Sequence, residues 1–147
     1  MKIISADERL QQQTGVKMAI FGSFGIGKTS LLKTLDEPTL CLDFEAGLLA
    51  VQDWSGDSLT VRTWPEAKDI ACLVGGANPA LDNSKCYSQR HYENVNAKYK
   101  EFDISKYKCI FIDSITMVSK ICLGWARAQV EQNKYGKSDT WAAYALL

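Results

Sequence analysis

An α/β fold, with helices packed in layers around a mostly parallel, doubly wound sheet, follows from three observations on this sequence. Short apolar strand patterns alternate with stretches of helical periodicity, the arrangement that parallel strands with crossover helices require. A glycine-rich segment, Gly22 to Thr29 (GSFGIGKT), lies between the first strand pattern and the first helical one. Acidic residues then close two later strand patterns, Asp43 with Glu45 and Asp113, at the carboxyl ends where such sheets hold their ligands.

Each element has its own local cause. Val16 to Phe21 is an apolar run of strand length, and Lys28 to Leu35 carries helical spacing. Asp36-Glu37-Pro38 breaks that pattern, and Thr39 to Phe44 (TLCLDF) reads as a second, buried strand. Leu59 to Arg62 is a short third strand. Thr63 stands three residues before Glu66, the signature of a capping box, so Ala67 to Val74 is a capped helix that stops at Gly75-Gly76. Asn78 to Gln89 is loop-like and leads into a helix with His91 or Tyr92, Val95, Tyr99 and Phe102 at helical spacing. Tyr107 to Ile112 forms a fourth strand ending in Asp113, followed by a helix from Ser114 to about Gln132. Asn133 to Ser138 breaks the pattern, and Asp139 to Leu147 begins a further helix. Gln11 to Gln13 is the one low-complexity tract.

The 147 residues suit a single domain, and 46% hydrophobic with 23% charged residues is ordinary globular composition. Seventeen basic residues balance seventeen acidic ones, so the chain as a whole carries no electrostatic footprint for nucleic acid. The five cysteines form no C-x-x-C pair, which argues for buried thiols in a reducing compartment and against a zinc site or disulfide framework. The opening MKIISADERLQQQ lacks a signal-peptide core, and no window approaches the roughly 18 apolar residues of a membrane span. A cytoplasmic location without membrane partners is the expectation.

The chemistry is concentrated in GSFGIGKT, a complete G-x-x-x-x-G-K-[ST] phosphate loop. Glycines at 22, 25 and 27 reach backbone angles closed to other residues, letting Gly22, Ser23, Phe24, Gly25, Ile26 and Gly27 wrap their N–H groups round a phosphate. The helix that follows adds its N-terminal donors at Lys28, Thr29 and Ser30. Lys28 can reach the β- and γ-phosphate oxygens, and the Thr29 hydroxyl can ligate Mg²⁺. Asp113, closing an apolar strand, is placed to hold the same Mg²⁺, although a cap for the next helix suits its position too. In LDFEAG, Asp43 and Glu45 point to the same side, and Glu45 is the favoured group to activate water; a polar turn is the alternative.

Together GSFGIGKT, LDFEAG and CIFIDSIT resemble the core of RecA-like ATPases, and most closely the small phage-encoded ATP-binding proteins of that group. The resemblance implies a three-layer P-loop NTPase fold forming one nucleotide-binding domain over residues 1–147. It implies ATP and Mg²⁺ as cofactors, Lys28 and Thr29 as the phosphate-loop pair, Glu45 as the catalytic glutamate, and Asp113 with Ser114 as the Walker B end. DNA recombination by single-strand annealing is the associated activity, within the cytoplasm of a bacterial host where the chain is phage-encoded. RecA-like cores continue past the Walker B strand into further strands and DNA-binding loops, so a C-terminal truncation at Leu147 is expected.

Other features are weighed the same way. Tyr87, Tyr92, Tyr99 and Phe102 can stack single-stranded bases, but their spacing suits a buried helix face. Lys85, Arg90, Lys98, Lys100, Lys106 and Lys108 interleave with acids and read as a mixed-charge surface. His91 reads as structural, and Arg62 and Arg127 lack local support as arginine fingers. The nearest approach to a guanine reader, Asn133-Lys134-Tyr135-Gly136, has no aspartate, and no arginine-rich lid of a nucleoside kinase is visible, so adenine is preferred. The expected function is a Mg²⁺-dependent ATPase acting on single-stranded DNA or a DNA-bound protein. A non-hydrolysing nucleotide-dependent switch or assembly module stands beside it, with homo-oligomerisation left open.

Overall fold

The computed structural model describes residues 5, 15–131 and 139–146. Three parallel strands, β1 (Thr39–Asp43), β2 (Asp57–Thr60) and β3 (Cys109–Asp113), form a sheet of order β2-β1-β3. The fold is α/β, as expected. In the β1–β3 register Asp43 lies opposite Asp113, and in the β1–β2 register opposite Thr60. The carboxyl ends of all three strands therefore open on one edge.

β1 is buried along its whole length, which its apolar sequence makes favourable, and alternation sends successive side chains to opposite faces. Leu40 and Leu42 join Phe44, Val61, Ala67, Ile70, Leu73 and Val95 in the larger core. Cys41 faces the other way and packs with Leu32 and Val51 in a smaller one, against Phe111. Helices α1 (Trp64–Gly75), α2 (Gln89–Lys98) and α3 (Ile115–Gln129) cover or flank the first face, and two short 3-10 helices, Thr29–Thr34 and Gly47–Val51, cover the second. A last short helix, α4 (Thr140–Tyr144), follows the residues not described.

Local chemistry explains the helix starts. Thr63 caps α1 by accepting from the Glu66 N–H, and the Glu66 carboxylate accepts from the Thr63 and Arg62 N–H groups in return. Ser88 caps α2 and Ser114 caps α3. Asp139 caps α4 through the N–H groups of Trp141 and Ala142.

Two expectations are corrected. Val16 to Phe21 is not a strand: the segment is irregular and Val16, Met18 and Phe21 are exposed. Apolar content favours burial, but a strand also needs a partner edge, and pairing is a long-range event that local sequence cannot supply. The segment after the phosphate loop is a 3-10 helix over Thr29–Thr34 instead of an α-helix over Lys28 to Leu35. It is too short to favour the α form by itself, and Pro38 forces the chain to extend just beyond it. The third strand starts two residues earlier than expected, and α2 ends at Lys98 with Tyr99 and Phe102 packed beyond it. The expected break at Asn133 to Ser138, the Asn133–Gly136 segment, Gln11 to Gln13 and Leu147 lie outside the described residues.

Candidate nucleotide site

The phosphate loop turns on two glycines with left-handed backbone, Gly25 (φ 76°) and Gly27 (φ 94°), angles that a side chain would strain. The Ile26 N–H donates to the Ser23 carbonyl at 3.4 Å, and the Ser30 and Leu31 N–H groups donate to Gly27 and Lys28 carbonyls, closing the turn into the 3-10 helix. Lys28 folds back across the loop. Its Nζ donates to the carbonyl oxygens of Gly22 and Ser23, both at 2.9 Å, so two of three ammonium hydrogens shape the loop and the third is left to meet an anion. Gly22 to Gly27 are exposed, with Phe24 at 98%, and Ser30 is exposed behind them.

Leu32, fully buried against Cys41 and Val51, anchors this loop to the sheet. Lys33 of the first 3-10 helix pairs with Asp53, two residues past the end of the second. Packing thereby brings Thr29 over the end of β3, where its hydroxyl donates to Asp113 Oδ2 at 2.7 Å. Asp113 is 7% exposed, and its backbone carbonyl accepts from the Phe44 N–H at 2.7 Å, prolonging the β1–β3 ladder. The helix cap weighed for Asp113 falls to Ser114, whose Oγ accepts from the Met117 N–H at 3.4 Å. The same Ser114 hydroxyl donates to Glu45 Oε2 at 3.1 Å. Glu45 is exposed beyond β1, and Ala46 beside it takes a left-handed conformation (φ 59°) that turns the chain toward Gly47. A Cβ on Gly47 would stand 3.5 Å from Asp113 Oδ2.

Asp43 is the second buried carboxylate of the strand ends. Its Oδ1 accepts from the N–H groups of Glu45 (3.1 Å) and Ala46 (2.7 Å), and Arg62 lies against its Oδ2 at 3.5 Å. Beneath both aspartates lies the Cys41 thiol, pushed up to about 12 by burial first and then by the charges of Asp113 and Asp43. It is a packing group, with no thiolate at neutral pH.

A hydroxyl and a carboxylate sharing one point suit a hard cation such as Mg²⁺, which takes oxygen ligands. Among the described residues no group of three or more His, Cys, Asp or Glu could hold a metal by itself, so Thr29 and Asp113 fit a cation that also draws ligands from phosphate and water.

The remaining residues weighed in the sequence lie elsewhere. His91 is structural: its Nδ1 accepts from the Tyr87 N–H at 2.8 Å and its Nε2 faces Asp69 at 3.2 Å. Lys98 and Lys106 pair with Asp69 and Asp57. Tyr99 and Phe102 pack on the larger core. Arg62 is engaged within the chain. Of the cysteines, Cys41 and Cys72 are buried but Cys86 is exposed, correcting the expectation that all are internal. The contact between Arg62 and Asp43 was missed. The D-x-E-A-G pattern signals only the Asp43 turn, since an aspartate before a turn commonly accepts from amides two and three residues on, and no local pattern points to Arg62.

A glycine-turned loop, a lysine folded across it and a hydroxyl–carboxylate pair at the carboxyl ends of a parallel sheet define the class: a P-loop nucleotide-binding domain. A family model described as "AAA domain" matches residues 14–147, and the chain belongs to that AAA-type family. No curated protein and no solved structure matches it. No helix among the described residues is long and apolar enough to cross a membrane.

Proposed function

We propose that this AAA-type domain is a Mg²⁺-dependent ATPase of RecA-like type, acting in phage DNA recombination or other DNA metabolism. The observation that carries the reading is the Thr29–Asp113 contact at 2.7 Å, with Glu45 held by Ser114 at the neighbouring strand end. Lys28 and the loop amides other than Ile26 and Ser30, whose N–H groups donate to the Ser23 and Gly27 carbonyls, bind and orient the triphosphate. Thr29 and Asp113 would hold Mg²⁺, which supplies charge neutralisation on the phosphate oxygens. Glu45, exposed and two residues past β1, aligns water and accepts its proton, while Ser114 fixes the carboxylate. Phosphoryl transfer needs chiefly positioning and electrostatic stabilisation, which these groups provide. Single-stranded DNA or a DNA-bound protein is the proposed partner, supported by the resemblance of the three motifs to recombination ATPases; ATP is favoured because no guanine reader occurs in the sequence.

The test is ATP binding by calorimetry beside phosphate release, with and without single-stranded DNA, for the unmodified chain, Lys28→Ala and Glu45→Gln. Binding lost in Lys28→Ala, with turnover lost but binding kept in Glu45→Gln, supports the reading. Equal turnover in the unmodified chain and Glu45→Gln refutes it. Binding without phosphate release in the unmodified chain replaces it with the nucleotide-dependent switch or assembly module.

A further inference from the structure

LDFEAG carries two carboxylates on one side of the strand end, and the structure gives them opposite circumstances. Glu45 is exposed, with the Ser114 hydroxyl on Oε2. Asp43 is 5% exposed, and both of its carboxylate oxygens face donors. Oδ1 takes the N–H groups of Glu45 and Ala46, which closes a turn directly on the backbone that bears the Glu45 side chain. Arg62 grips the residue from behind: Nη1 donates to the Asp43 carbonyl at 2.7 Å and Nη2 lies 3.5 Å from Oδ2. Arg62 is fixed in turn. Its Nη1 also reaches the Val61 carbonyl, and its backbone N–H donates to Glu66 in the capping box of α1. The Val61 N–H donates to the same Asp43 carbonyl at 3.0 Å, so β2 and the guanidinium share one acceptor.

We infer that Asp43 and Arg62 are positioning residues for Glu45, a relay that carries the orientation of α1 and β2 to the carboxylate facing the nucleotide. This rests on the reading of Glu45 as the group that activates water. A buried carboxylate held by two amides and lying against a guanidinium is turned into the chain, and its effect is to hold a turn. Without the turn, Ala46 loses the restraint on its left-handed backbone, and the Glu45 carboxylate is free to leave Ser114. Misplacement of about 1 Å at a reacting group costs roughly a hundredfold in rate.

The experiment compares Asp43→Ala, Asp43→Asn and Arg62→Ala, each alone and combined with Glu45→Gln, in steady-state ATP turnover and in Mg²⁺-dependent binding of a fluorescent ATP analogue. Asp43→Ala is expected to lower kcat about a hundredfold with nucleotide affinity unchanged. Asp43→Asn keeps an acceptor oxygen for the two amides and recovers most of the loss. Combined with Glu45→Gln, none of the three changes the residual turnover, because a residue acting only through Glu45 has nothing left to position. A normal kcat in Asp43→Ala, or an equal proportional loss with and without Glu45, overturns the inference. Should Asp43→Ala fail to fold, Arg62→Ala, which keeps the amide bonds, carries the same comparison, and a normal kcat there overturns it equally. Full turnover in Glu45→Gln alone would instead remove the reading of Glu45 itself, a result distinct from either.

Discussion

Thr29 and Asp113 are 84 residues apart in the chain and 2.7 Å apart in space, so the candidate metal-holding pair of the site is made by a tertiary contact. Asp113→Asn keeps the hydrogen bond but removes the charge. ATP affinity measured by calorimetry should then lose its dependence on Mg²⁺, whereas binding without the cation changes little. Lys28 offers a contrast. Its bonds to the Gly22 and Ser23 carbonyls are exposed and contribute little to stability, so Lys28→Ala should leave the nucleotide-free unfolding free energy, measured in urea, within about 1 kcal/mol of the unmodified chain. Thiol chemistry separates residues in the same way. Cys86 is exposed beside Lys68, and Cys41 is buried with its thiol pushed up to about 12. Iodoacetamide followed by peptide mapping should label Cys86 in the native protein and Cys41 only after unfolding.

At the scale of elements, the capping box of α1 ties helix to strand as well as closing a helix end. Thr63→Ala is expected to cost about 1 kcal/mol in urea unfolding. Glu66 is held below its usual value of 4.5, first by the Arg62 N–H, then by Thr63. A carboxylate depressed on folding stabilises the native state above its unfolded value, and that contribution disappears as pH falls below about 4.5. The difference in stability between the unmodified chain and Glu66→Gln should therefore be full at pH 7 and shrink through the acid limb. Between α1 and α2, Asp69 accepts from Lys98 at 2.7 Å and faces His91 Nε2, and this bond to Asp69 is the main reason the Lys98 ammonium is raised to about 12. Asp69→Ala leaves the half-buried His91 Nε2 without its partner while the exposed Lys98 ammonium turns to water, and should cost about 1 kcal/mol.

Over the whole molecule, two cores on opposite faces of one small sheet are joined through β1. Leu42→Ala in the larger core should cost about 2 to 5 kcal/mol, because β1 is covered on both faces and the cavity cannot readily collapse. Ligand linkage acts at the same scale. ATP with Mg²⁺ at about one hundred times its Kd should stabilise the fold by about 2.7 kcal/mol. That corresponds to a rise of roughly 5 to 10 °C in Tm, and Lys28→Ala should abolish it.

The sequence by itself determined the phosphate-loop motif and most of the elements. The spacing of GSFGIGKT, the apolar run of β1, the capping box at Thr63 and the acids closing two strands are local patterns, and local patterns report backbone preference and side-chain type. The tertiary structure alone decided which strand edges meet, that Val16 to Phe21 stands outside the described sheet, that Ser114 is the α3 cap while Asp113 faces Thr29, and that Asp43 is locked by Arg62 while Glu45 stays open. The physical reason is the range of the interactions. A turn or a cap is satisfied within four residues, whereas a strand partner or a buried carboxylate's counter-charge comes from chain far away, and only packing chooses among the candidates.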